Sequence, residues 1–266
     1  MALNANGKGR ALVTGASSGI GATYARKLAA RGYDLVVVAR DAARLGKLAD
    51  ELENGTGVDV EVFPADLSAQ ADLRRVEERL RAADIELFVN NAGIGPRAPL
   101  LAGDIGDLDT MIALNVTAAN RLAVAAAQAF KARGNGTIVN IASVVALAPD
   151  LFNGTYSGSK AFVLALTQAL ASELKDSGVH IQAVLPGLTR TEIFDRAGGS
   201  VDNLNPAMVM EVEDMVGAAL AGLDAGELIT IPSMEDGALF ESYSAAAGAL
   251  RPQLSTNRPA SRYRIG

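Results

Sequence analysis

Residues 11–21 read ALVTGASSGIG. A short run of buried-strand character passes without a break into a glycine-rich turn, and a helix-period segment, ATYARKLAARG, follows at 22–32. Strand, glycine turn and helix in that order predict the opening unit of a doubly wound α/β sheet, whose first turn holds the pyrophosphate of a dinucleotide. Gly15 suits the tight turn, Gly19 lets the backbone approach the anion, and Gly21 lets the helix pack closely on the strand. Ser17, Ser18 and Ile20 complete the cradle, where the first N–H groups of the helix face the anion. The spacing is Gly-x3-Gly-x-Gly rather than the commoner Gly-x-Gly-x2-Gly.

Further along the chain, runs rich in Val, Ile and Leu recur: LVVVA (35–39), VEVFPA (60–65), ELFVN (86–90), GTIVNIAS (136–143), IQAVLP (181–186) and ELITIP (227–232). Helix-period segments separate them, notably 43–54, 71–82, 108–133 and 161–178. Continuous apolar strands alternating with helices predict a parallel sheet of about seven strands covered on both faces, a single Rossmann domain over residues 1–266. The segment 188–210, with Gly198-Gly199 and Pro206, is too long and irregular for a plain connection and is expected to be a substrate lid loop. The tail 251–266, RPQLSTNRPASRYRIG, is polar and broken by proline, and is expected to lie along the surface.

Composition narrows the function. The 266 residues are 49% apolar and 20% charged, with a formal net charge of −6. That balance suits a globular protein and argues against nucleic acid or an anionic membrane as partner. The absence of cysteine excludes thiolate metal sites, thiol catalysis and disulfides, and no metal centre is expected. No apolar leader precedes the first strand, and no run reaches the roughly 18 consecutive apolar residues of a membrane helix, so a soluble cytoplasmic protein is expected. The single histidine, His180, starts a strand away from the motifs, so no triad can be built around it.

In TYSGSK (155–160), Tyr156 precedes Lys160 by four residues, so on a helix the two lie side by side. That spacing is common on solvated helices. Its weight comes from Ser143, which ends the fifth apolar run and so stands at the carboxyl edge of the sheet, where such folds bind ligands. Together TGASSGIG (14–21), NNAG (90–93), Tyr156-x3-Lys160 and PGLTRT (186–191) resemble the short-chain dehydrogenase/reductase family, and within it bacterial NADP-dependent ketone reductases and alcohol dehydrogenases. The resemblance runs from about residue 10 to 232.

The roles follow from charge. Reducing a ketone places negative charge on its oxygen, and an acid must protonate it. A tyrosine titrates near 10, and a neighbouring cation favours the phenolate, so Lys160 is expected to lower the pKa of Tyr156 and make it the acid in reduction and the base in oxidation. The Ser143 hydroxyl would steady the developing alkoxide. The resemblance implies that Lys160 also binds the nicotinamide ribose, and that Asn115 is a fourth catalytic member, holding a water that relays protons to Lys160. It further implies Asp66 and Leu67 at the adenine, and Asn91, Ala92 and Gly93 along the adenosine side of the crevice. Pro186, Gly187 and Leu188 would border the nicotinamide, with Thr191 at its carboxamide or the diphosphate. It also implies a homo-oligomer, tetramer or dimer, formed through the helices around 105–132 and 157–177.

An NAD enzyme commonly carries an acid at the end of its second strand to hold the ribose 2′-hydroxyl. Here the strand ends LVVVARD, with Ala39 in that position and Arg40 after it. An arginine fork suits a 2′-phosphate, so NADP(H) is expected over NAD(H). Asp41, the competing acid, is read as the N-cap of the next helix. Gly95, Val145, Phe152, Asn153, Phe194 and Met208 flank the catalytic groups and are mostly apolar, which suits a hydrophobic small-molecule ketone or secondary alcohol. Arg97 and Arg190 would meet an acidic or carrier-linked substrate, or are solvated surface arginines. A 3-oxoacyl-thioester or steroid reductase is the alternative enzyme. A cofactor-binding scaffold or sensor is the non-enzyme alternative, against which the intact Ser143, Tyr156 and Lys160 argue.

Overall fold

Burial on both faces explains why the strand segments read as unbroken apolar runs. Leu12 packs on one side of the sheet and its neighbour Val13 on the other, and Val36 and Val37 divide in the same way. The computed structural model describes residues 8–192 and 201–264. Its strands are β1 (Arg10–Thr14), β2 (Asp34–Ala39), β3 (Val60–Pro64), β4 (Ile85–Asn90), β5 (Gly136–Ile141), β6 (Val179–Val184) and β7 (Ile229–Thr230). They form one seven-stranded sheet in the order β3-β2-β1-β4-β5-β6-β7, with every pairing parallel. The predicted doubly wound architecture is therefore observed. The order reverses between β1 and β4, which opens a crevice at their carboxyl ends. The run expected at 227–232 shrinks to two paired residues, because β7 is an edge strand and Pro232 brings no N–H to extend the ladder.

The helices are α1 (Gly19–Ala30), α2 (Ala42–Thr56), α3 (Gln70–Leu80), α4 (Ile105–Ile112), α5 (Ala119–Arg133), α6 (Gly154–Glu173), α7 (Val212–Asp224) and α8 (Gly237–Ala249). Tyr24, Leu28, Leu45, Leu48, Met215 and Leu220 bring α1, α2 and α7 onto one face of the sheet. Leu73, Val76, Leu122, Phe130 and Leu170 bring α3, α5 and α6 onto the other. A π-helical stretch, Ala113–Ala118, joins α4 to α5 without a break. The resulting 29-residue helix, Ile105–Arg133, is long and apolar enough to cross a membrane by length and composition alone, but half of its apolar window is buried inside the protein, as befits a core helix.

All seven strands lie in one compact unit, residues 1–232, and residues 233–266 form a second. The second unit holds α8 and two short 3₁₀ turns at 251–253 and 261–263, and α8 buries none of its residues. The segment expected as a tail, 251–266, falls within this second unit. Within the expected lid at 188–210, residues 193–200 lie outside the described residues. The rest is closed at its base, where the Arg190 N–H donates to the Met210 carbonyl at 2.9 Å and the Met210 N–H to the Leu188 carbonyl at 2.9 Å.

Candidate active site

The glycine turn is built as its residue types require. Gly15 and Gly19 adopt left-handed φ values of 68° and 51°, which only glycine takes without strain. A Cβ on Gly21 would run into the Gly15 carbonyl and the Asn91 side-chain amide, so α1 can begin against the turn only with glycine there. Ser17, Ser18 and Ile20 are half-buried along the cradle. Thr14 ties the two strands that flank the crevice. Its hydroxyl accepts from the Asn91 and Ala92 N–H groups at 3.0 and 3.1 Å and donates to the Val89 carbonyl at 3.2 Å. The Asn91 amide returns a bond to the Thr14 carbonyl at 2.8 Å. A polar residue ending an otherwise apolar strand was the available signal. From the opposite side, the Thr191 methyl carbon lies 3.2 Å from where a Cβ on Gly19 would stand.

Arg40 is exposed, and its guanidinium pairs with no acid among the described residues. Asp41 caps α2, its carboxylate accepting from the Arg44 N–H at 3.0 Å. The Asp66 carboxylate accepts from the Ser68 N–H at 3.0 Å and the Ser68 hydroxyl at 2.6 Å. It therefore shapes the turn before α3 without capping it, since α3 starts only at Gln70. Leu67 beside it is buried.

At the carboxyl end of β5, the Ser143 hydroxyl donates to the Pro186 carbonyl at 3.3 Å, which draws together the loops that leave β5 and β6. Gly187 and Leu188 continue from there, half-buried. Tyr156 and Lys160 lie on one face of α6. The tyrosine is half-buried with the edge of Phe152 against its ring, the centroids 5.5 Å apart. Lys160 is buried, and its ammonium donates to the Ile141 carbonyl at 3.0 Å. Asn115 sits in the π-helical stretch, a distortion that often marks functional sites. Its amide donates to the Ile94 carbonyl at 2.9 Å and to the Ser159 hydroxyl at 3.3 Å, and its oxygen accepts from the Ile94 N–H at 2.9 Å. A Cβ on Gly93 would stand 3.0 Å from that oxygen and 3.7 Å from the Lys160 nitrogen, so these residues meet at one point. Behind them lies a buried chain. The Asn90 amide donates to Asn140 at 3.0 Å, and Asn140 donates to the Thr167 hydroxyl at 3.0 Å, fixing the ends of β4 and β5 to α6. Asparagines in apolar strands were its overlooked sign.

The expected sign of the tyrosine shift is corrected. Burial pushes the Tyr156 hydroxyl up to about 12, and a hydrogen bond with Ser143 pulls it back only in part. Burial also pushes Lys160 down to about 8. The ammonium is 5.7 Å from the tyrosine ring centroid and is engaged by the Ile141 carbonyl, so desolvation outweighs its pull on the phenol. At neutral pH this leaves a protonated phenol beside a charged lysine, a pair able to donate a proton to an oxyanion.

Of the expected pocket residues, Gly95 and Val145 are half-buried near the catalytic groups, while Phe152 and Met208 are exposed. Phe194 lies outside the described residues. Asn153 is buried, and its polar atoms are engaged within the protein. Its oxygen caps α6 through the Thr155 and Tyr156 N–H groups at 3.0 and 3.2 Å, and its amide holds the Ala98 carbonyl at 3.1 Å. Arg97 pairs with Asp107 at 2.9 Å, and Arg190 with Asp202 at 2.5 Å and Glu211 at 2.9 Å. His180 is exposed, away from these groups.

This arrangement has counterparts. A solved short-chain dehydrogenase from Sphingobium yanoikuyae in complex with NADPH superposes with a TM-score of 0.93 at 47% identity, covering 96% of this chain and 99% of that one. The bulky-bulky ketone specific alcohol dehydrogenase from Comamonas testosteroni superposes with a TM-score of 0.88 at 42% identity, covering 96% and 98%. By sequence, the very-long-chain 3-oxoacyl-CoA reductase of Anas platyrhynchos is 32% identical over 201 residues, which is 74% of this chain and 64% of that enzyme's length. The family model described as short chain dehydrogenase matches residues 9–202. The chain therefore belongs to the short-chain dehydrogenase family, and it is an oxidoreductase of that family.

Proposed function

We propose that the protein interconverts a hydrophobic ketone and its secondary alcohol with NADP(H). The observation that carries the reading is the convergence of Ser143, Tyr156 and Lys160 at the carboxyl edge of the sheet, beside a glycine cradle flanked by Arg40, which pairs with no acid among the described residues. The cradle fits a dinucleotide, since Gly21 leaves no room for a side chain and Gly19 leaves the backbone bare toward Thr191. The nicotinamide supplies or accepts the hydride when bound. Ser143 orients the carbonyl oxygen, the Tyr156 hydroxyl gives it a proton, and the Lys160 ammonium steadies the tyrosinate left behind. Asn115, at the same junction as Lys160, carries the proton relay toward the lysine. Asp66, Leu67, Asn91, Ala92 and Gly93 line the adenosine side, and Pro186, Gly187, Leu188 and Thr191 the nicotinamide side.

The NADPH complex of the Sphingobium enzyme and the bulky-ketone specificity of the Comamonas enzyme support this reading. The resemblance to 3-oxoacyl-CoA reductase favours a second one, an acyl-thioester substrate. Against it stand the arginines near the site. Arg97 and Arg190 are each neutralised by the protein's own acids, leaving neither free to hold a phosphorylated carrier. Pairing of two copies through α5 and α6, across the groove lined by Val124, Ala127, Leu166 and Leu170, belongs to the same proposal. NADPH consumption with a panel of bulky apolar ketones and 3-oxoacyl thioesters tests the substrate. The ketones should be turned over with the higher kcat/KM, and faster turnover of the thioesters would replace the reading.

Arg40 should decide the cofactor. A charge-assisted contact to a phosphate is worth roughly 1.5–3 kcal/mol, so NADPH should exceed NADH by about ten- to a hundredfold in kcat/KM. Arg40→Leu should remove most of that gap by weakening NADPH alone. Steady-state kinetics with both cofactors give the answer, and equal use of NADH by the wild type would count against Arg40 as the discriminating residue.

A further inference from the structure

The chain leaving β6 is held from both sides as it reaches the cradle. Behind, the Arg190 backbone pairs with Met210, and its guanidinium binds Asp202 and Glu211. Thr191 then comes against Gly19. Ahead, the Glu192 carboxylate accepts from one Arg44 Nη1 at 2.8 and 3.0 Å. Arg44 belongs to the first turn of α2, lies 3.6 Å from the capping Asp41, and stands across the cleft from β6, 148 positions away from Glu192 in sequence. Residues 190–192 therefore reach from the substrate side of the site to the helix beside Arg40, and Thr191 is the part of that bridge over the glycine turn.

We propose that Arg44 and Glu192 are positioning residues whose ion pair straps Thr191 over the glycine turn and holds the bound dinucleotide in its cleft. The proposal rests on the reading above only in requiring a dinucleotide in the cradle, not in which one. The strap acts on the turn, so its loss loosens NADH as well as NADPH, whereas loss of Arg40 loosens NADPH alone. Both side chains of the pair are about half exposed, which limits the effect to about two- to fivefold in affinity.

The test is direct binding to the full-length protein, with dissociation constants and release rates for NADH and NADPH followed by cofactor fluorescence. The proteins are wild type, Glu192→Gln, Arg44→Gln, the double variant, the charge exchange Arg44→Glu/Glu192→Arg, and Arg40→Leu. NADH is the deciding arm, because Arg44 also carries charge close to where a 2′-phosphate would lie. Each single variant should release NADH about two- to fivefold faster, the double variant no faster than either single, and the exchange should recover most of the loss. Unchanged NADH release in both single variants overturns the strap, as do additive single effects without recovery in the exchange. A failed Arg40→Leu result bears on cofactor choice alone and leaves the NADH comparison standing. A wild type that binds neither dinucleotide removes the cofactor reading and the strap together.

Discussion

Tyr156→Phe is expected to keep its affinity for NADPH and to lose ketone turnover by a factor of about 10²–10⁴, the usual contribution of a positioned acid. The substitution removes one oxygen and leaves the ring, so the edge contact with Phe152 survives. The capping bonds from Asn153 to the first turn of α6 use backbone N–H groups and are untouched. The lost rate therefore reports the hydroxyl, its proton together with its hydrogen bond to Ser143. Retention of more than about a tenth of the wild-type kcat, a barrier change under ~1.4 kcal/mol, would remove Tyr156 from the acid role.

Lys160→Met should cost both turnover and cofactor affinity, because one ammonium serves both. Methionine fills the buried position with comparable bulk but cannot donate to the Ile141 carbonyl or stabilise a tyrosinate. Loss of a charged hydrogen bond predicts NADPH binding weaker by about ten- to a hundredfold, and kcat should fall at least as far. The pH profile carries the sign. Burial pushes Lys160 down to about 8, so the cation is present below that pH and lost above it. Wild-type ketone reduction should decline as pH rises through that range, and the residual activity of Lys160→Met should lack the decline. A variant with the wild-type profile would show that another group controls it.

Most of the sheet was legible because burial on two faces writes itself as continuous apolar runs, and the glycine turn because Gly15, Gly19 and Gly21 each answer a separate steric demand. Asp41 was legible as a cap, since an acid before an apolar-periodic run has a short-range reason to be there. What escaped depends on contacts across the fold. The π-helical turn that carries Asn115 keeps nearly the same apolar pattern as an ordinary helix. The bond from the Asn153 amide to the Ala98 carbonyl, 55 residues away, is tertiary and leaves no local pattern. The sign of the Tyr156 shift was missed because proximity to Lys160 can be read from spacing, whereas desolvation, the larger effect here, depends on what covers the phenol. Arg44 and Glu192 carry no mark in sequence that would pair them.

Tyr156 is proposed to protonate the oxygen of a ketone whose carbon would take its hydride from the nicotinamide. Ketone reduction with NADPH deuterated at its transferable ring position, followed by mass analysis of the alcohol, tests it most directly. Wild type should place the label on the carbinol carbon, and Tyr156→Phe should bind the same cofactor with unchanged affinity and form almost no labelled product. Unlabelled alcohol from the wild type, or labelled alcohol from Tyr156→Phe at a comparable rate, would contradict the account.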